Sequence, residues 1–95
     1  MKFNGTFIES RIAEKEYVNS EKRIQGKIDE LLISIKRDGL LRGIGKPEIL
    51  KHEPYKGYYS RRVTKDNRII YKPKIVDSEF YEIEIFQYLN HYNDH

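Results

Sequence analysis

A chain of 95 residues has room for one hydrophobic core and not for two, so a single domain over residues 1–95, with one sheet and few helices, is expected. It contains no cysteine, which excludes a disulfide framework and a thiolate metal site and fits a reducing compartment, the cytoplasm by default. The net charge is only +3, yet residues 42–74 carry ten Lys or Arg against Glu48, Glu53 and Asp66, a local +7 that leaves −4 for the rest. Such concentration suits a surface that binds phosphates, a solvated basic face being the alternative.

In chain order, "MKFNGTFIES" lacks the apolar core of a signal peptide, and no apolar run approaches the ~20 residues of a membrane span. Residues 1–3 can add an edge strand. "FIESRIAEKEYV" then reads as a short helix with Ile8 and Ile12, then Ala13 and Tyr17, as its apolar pairs. Asn19 and Ser20 form a joint, with Ser20 as the N-cap of a stronger helix whose stripe is Ile24, Ile28, Leu31, Leu32 and Ile35. Gly26 within it costs about 1 kcal/mol relative to Ala, which burial of five stripe residues outweighs. Gly39 ends it as the C-cap. These two helices form an N-terminal hairpin.

Beyond Gly39 the period shortens. "YYSRRV" is rich in aromatic and β-branched residues, "TKDN" turns the chain, and "RIIYKPKIV" returns it, with a bulge or an unpaired stretch expected at Pro73. Asp77 and Ser78 turn it again into "FYEIEIFQY", where Tyr81, Ile83 and Ile85 alternate with Glu82 and Glu84. The expected class is α+β, a helical hairpin packed on one face of a small, mostly antiparallel sheet, leaving the opposite face and its rims to function.

Chemical candidates are few. His52, His91 and His95 have no metal-site spacing, and there is neither a phosphate-binding glycine loop nor a Ser or Cys nucleophile motif, so no cofactor and no metal is expected. RNA cleavage needs neither, because RNA supplies its own nucleophile in the 2′-hydroxyl. The protein must add a base, cations for the crowded phosphorane and an acid for the departing 5′-oxygen. Glu48, alone among Lys46, Lys51 and His52, fits the base; the bland alternative is an ion pair with Lys46 or Lys51. Tyrosines at 55, 58, 59, 71, 88 and 92 can stack on splayed bases.

"SEKRIQGKIDELL", "GIGKPEILKH", "GYYSRRVTKDNRIIY" and the late "HY" resemble the YoeB/Txe toxins of bacterial toxin–antitoxin modules, within the RelE-like superfamily. The resemblance implies a microbial-ribonuclease-like fold and metal-independent cleavage of mRNA, typically in the ribosomal A site, which leaves a 2′,3′-cyclic phosphate and inhibits translation. It also implies neutralisation by a small acidic, YefM-like antitoxin, and it leaves monomer and homodimer open. Residue by residue, Glu48 falls on the family's general base, Arg68 on the arginine that stabilises the phosphorane, His91 on its general acid and Tyr92 on its substrate-positioning ring. Lys46, Lys51, His52, Arg61 and Arg62 match basic residues around the cleft, with a structural hydrogen bond as the alternative for His52, and Tyr59 stands where the family has a tryptophan.

Three departures stand out. "QYLNHY" lacks the family's Cys and following basic residue, which leaves the register of the last strand open. The segment between Tyr71 and His91 is longer than usual, implying an extended hairpin, and tryptophan is absent. From another class, the competing reading is a RelE-like non-catalytic binder or a toxin with a different target.

Overall fold

The computed structural model describes residues 1–91. Five strands and two helices follow in the order β1 (Lys2–Glu9), α1 (Arg11–Val18), α2 (Lys22–Asp38), β2 (Glu48–Ile49), β3 (Tyr59–Arg62), β4 (Arg68–Ile75) and β5 (Phe80–Asn90). The strands form one sheet in the order β1-β5-β4-β3-β2, with β1 parallel to β5 and the other three pairings antiparallel. The α+β class, the mostly antiparallel sheet and an edge strand at the first residues are as expected; the extension of that strand to Glu9 is not.

Residues 7–9 belong to β1 and not to a helix, and α1 begins only after Ser10, whose hydroxyl accepts from the Ala13 amide as an N-cap. The helical reading of this stretch rested on Ile8, which instead lies exposed on the strand. The strand carries a bulge: between the pairs Phe3↔Tyr81 and Phe7↔Ile83 the register shifts, with Gly5 at φ 90°. The excess length brings the two Phe rings to 5.0 Å, so residues four apart meet as they would on a helix.

The stripe of α2 packs as its spacing demands, with Ile28, Leu31 and Ile35 buried against Ala13, Ile69, Tyr71, Ile83 and Ile85, and with Ile24 and Leu32 at the margin. Its N-cap is Glu21 and not Ser20; the Ser20 hydroxyl donates back to the Glu16 carbonyl and so closes α1 instead. Gly39 caps the C-terminus with its amide on the Ile35 carbonyl. Both helices thus cover one face of the sheet.

The expected irregularity at Pro73 also moves. Pro73 pairs in register with Ile83 and lies beyond the reach of β3, which ends opposite Tyr71, so that β4 has a partner on one side only there. The register shifts fall instead between Arg68 and Tyr71, where β5 carries the extra residues. Helix α1 answers them: the Glu16 carboxylate accepts from the Tyr88 amide at 2.8 Å, and the Ser10 hydroxyl donates to the Phe86 carbonyl at 2.7 Å. These bulges bring Asn90 opposite Arg68, and His91 follows at that end of the sheet. The hairpin between β4 and β5 is extended, and Asp77 closes it by accepting from the Glu79 and Phe80 amides.

Candidate functional site

Alternation along β3 sorts the residues of "YYSRR" onto two faces. Tyr59 packs on the helix-side core and lies 5.8 Å from the Tyr71 ring, and Arg61 follows it inward. Ser60 stands on the other face, opposite Glu48 in β2 and Ile70 in β4. On that open face Arg68 donates from Nη2 to Glu48 Oε1 at 3.0 Å, from Nε to Ser60 Oγ at 2.9 Å, and from Nη2 to the Lys46 carbonyl at 3.4 Å. The Arg68 side chain is 10% exposed and that of Glu48 40%. A fixed cation therefore lies beneath a carboxylate that still meets solvent.

A bend over residues 43–45 places Glu48. Gly43 and Gly45 both have positive φ, and Lys46 follows at φ 50° before Pro47 sends the chain into the two-residue strand β2. A Cβ on Gly45 would lie 2.5 Å from Leu31 Cδ2, so only glycine lets the loop approach α2 this closely. Beyond Glu48, a cleft of about 600 Å³ is lined by Leu41, Pro47, Glu48, Ile49, Lys51 and His52. The cleft puts Lys51 and His52 beside Glu48, with Lys46 exposed at its approach.

The expected contact between Arg61 and RNA requires correction. Arg61 is 0% exposed, and its guanidinium bonds to Tyr71 Oη, Ser34 Oγ and the carbonyls of Gly39, Arg42 and Ile44. Arg62, one residue on, is exposed. Tyr59 is likewise committed to the core, while the aromatic group on the open face is built on Tyr55 and Tyr58, two of the tyrosines expected to stack on bases, together with Phe86. Tyr58 meets Phe86 at 4.9 Å and Tyr55 at 5.5 Å, with Lys72 Nζ 4.9 Å from its centroid. Strand alternation from Tyr59 was the available signal, since neighbours on a strand face opposite ways.

His91 is exposed directly after β5, at the Arg68 end of the sheet. Tyr92 and His95 lie outside the described residues. Tyr88, one of the tyrosines expected to stack on bases, is buried, and its hydroxyl donates to the Glu9 carboxylate; burial first, then that carboxylate, pushes its pKa far above the ordinary value. It is not an available proton donor. No described helix is long and apolar enough to cross a membrane.

Comparison with known proteins meets this geometry at family level. A curated Toxin YoeB from Streptomyces coelicolor is 39% identical over 57 residues, covering 60% of this chain and 66% of that protein. The structure of a YoeB dimer from Staphylococcus aureus superposes with a TM-score of 0.74 at 40% identity, covering 92% of this chain and 97% of that one. A heterotetrameric YoeB–YefM toxin–antitoxin complex from the same organism matches with a TM-score of 0.72 at 39% identity, covering 97% of this chain and 100% of that one. Residues 10–92 match the family described as the YoeB-like toxin of bacterial type II toxin–antitoxin systems, and the chain belongs to that family.

Proposed function

We propose that the chain is a metal-independent endoribonuclease toxin that cleaves mRNA, in the ribosomal A site, and so inhibits translation in the bacterial cytoplasm. The observation that carries this reading is the Glu48–Arg68 pair on the open sheet face, a solvent-meeting carboxylate against an arginine fixed by Ser60 and the Lys46 carbonyl. In the proposed reaction Glu48 takes the proton of the 2′-hydroxyl, the 2′-oxygen bonds to the adjacent phosphorus, and the bond from phosphorus to the 5′-oxygen breaks. Arg68 neutralises the non-bridging oxygens, and His91 returns a proton to the 5′-oxygen. The product is a 2′,3′-cyclic phosphate.

Lys46, Lys51, His52 and Arg62 surround this pair as phosphate contacts, and Tyr58 replaces Tyr59 as the stacking ring. Tyr92 retains its substrate-positioning role by family resemblance. A small acidic YefM-like antitoxin, as in the S. aureus complex, is the proposed partner, and self-association as in the S. aureus dimer is a further proposal. The proposed site lies within a single domain over residues 1–95.

Glu48→Gln tests the reading, since it keeps an acceptor for Arg68 while removing the base. Cleavage of mRNA on programmed ribosomes should fall by roughly 10² to 10⁴ with ribosome binding intact. A fully active variant would mean that another group is the base, whereas no cleavage by the unaltered protein would favour a non-catalytic or differently targeted RelE-like toxin.

A further inference from the structure

Burying an arginine is costly unless every donor is met. The five N–H groups of Arg61 meet five acceptors, Tyr71 Oη, Ser34 Oγ and the carbonyls of Gly39, Arg42 and Ile44, at 2.6 to 3.1 Å. Three of these belong to one loop, which runs from the end of α2 to Glu48. The loop is also held where the Ile44 amide donates to Ser34 Oγ at 3.2 Å and where Leu40 packs at the margin of the core. Leu41 is 44% and Ile44 42% exposed, so side-chain burial at those positions does not determine its path.

The loop is wound closely around the guanidinium. A Cβ on Gly43 would stand 3.1 Å from Arg61 Nη1, and one on Gly45 would stand 3.2 Å from Arg61 Cβ. Tyr71 extends the grip, because its hydroxyl accepts from Arg61 and donates to the Leu40 carbonyl. At the loop's far end the Gly45 carbonyl accepts from the Arg62 amide at 2.6 Å, and the Lys46 carbonyl accepts from Arg68. Glu48 comes two residues later.

We infer that Arg61 is a positioning residue for Glu48: from the opposite face of β3 it sets the path of residues 39–46 and so seats the carboxylate against Arg68. The inference rests on the reading of Glu48 as the base. Lysine cannot substitute, because three donors on a flexible stem do not reproduce a planar fork that binds carbonyls on several sides. A role confined to stability would lower the melting temperature without selecting the step that needs Glu48.

A double-mutant cycle separates these roles, with single-turnover cleavage measured on mRNA-programmed ribosomes at a temperature where each variant is folded. Arg61→Lys should slow cleavage by roughly 10²-fold, the worth of a misplacement of about 1 Å, with half-saturation little changed. In a Glu48→Gln background the same substitution should cost less than about threefold, because the group it positions is already gone. If Arg61→Lys does not fold, Tyr71→Phe breaks the same grip at one point and should give a smaller loss with the same non-additivity. Equal losses in both backgrounds, or an unchanged rate, would overturn the inference alone. Full activity of Glu48→Gln by itself would overturn the reading of Glu48 as the base, and the inference with it.

Discussion

At the scale of single residues, Arg61 and Arg62 are one amino acid in adjacent positions with opposite environments, and this separates their effects. Arg62 is exposed beside the open face, so Arg62→Ala should reduce the slope of log affinity for ribosomes or RNA against log salt by about 1, with the melting temperature nearly unchanged. Arg61→Ala should instead lower the melting temperature, since it strips five bonds from the interior. Charge composition could not distinguish the two; only the inward direction of one strand residue does. Asp38 shows the same dependence on surroundings. Its carboxyl is held below the ordinary range first by the hydrogen bond from Arg37 and next by that from Ser34, with the Arg61 charge contributing. A folded-state pKa lowered in this way gives stability that is present above the unfolded value, about 3.9, and is lost as pH falls through the folded value. Chemical denaturation measured from neutral pH to about pH 2 should therefore show an acid limb that Asp38→Asn flattens.

At the scale of elements, helix α2 was the most legible part of the sequence because burial on one side leaves a 3.6-residue period. Leu31→Ala should cost about 2 to 5 kcal/mol by denaturant titration, for Leu31 is wholly buried and also meets the loop at Gly45. A loss near zero would mean that the stripe does not face the sheet. The start of the N-terminal strand was legible as an edge strand, but its continuation to Glu9 was not, for an equally physical reason. Its bulge at Gly5 sets Phe3 and Phe7 in contact, and the parallel partner that makes it a strand lies more than seventy residues away at residues 80–85. Local pattern carries no record of such a partner. The bulges of β5 belong to the same class, since the Glu16 carboxylate that satisfies the Tyr88 amide comes from another element. Turns were easier, because Asp77 and Thr64 bond to their own neighbouring amides.

At the scale of the whole molecule, the sheet order β5-β4-β3-β2 brings Glu48 and Arg68 into contact across twenty residues of sequence and sets His91 at the same end. The contact between Glu48 and Arg68 could not be read from spacing, and family resemblance was what joined those two residues with His91 before any geometry was available. The proposed acid follows Asn90, the residue opposite Arg68, and its role is best tested through the chemistry of the leaving group. An oxygen leaving as alkoxide needs a proton, whereas a sulfur in the same bridging position leaves readily as thiolate. His91→Gln should therefore slow cleavage of a normal RNA by roughly 10² to 10⁴ and leave cleavage of a 5′-bridging phosphorothiolate nearly at the wild-type rate. Glu48→Gln should slow both substrates, because removal of the 2′-proton is common to them. Arg68→Lys should also slow both, since an ammonium cannot present the planar fork to two phosphate oxygens. Equal slowing of both substrates by His91→Gln would take the acid role away from His91, and Tyr88, buried against Glu9, could not inherit it. The proton would then have to come from Tyr92 or from the ribosome itself, and a Tyr92→Phe protein that cleaves normal RNA on ribosomes at the wild-type rate would assign it to the ribosome.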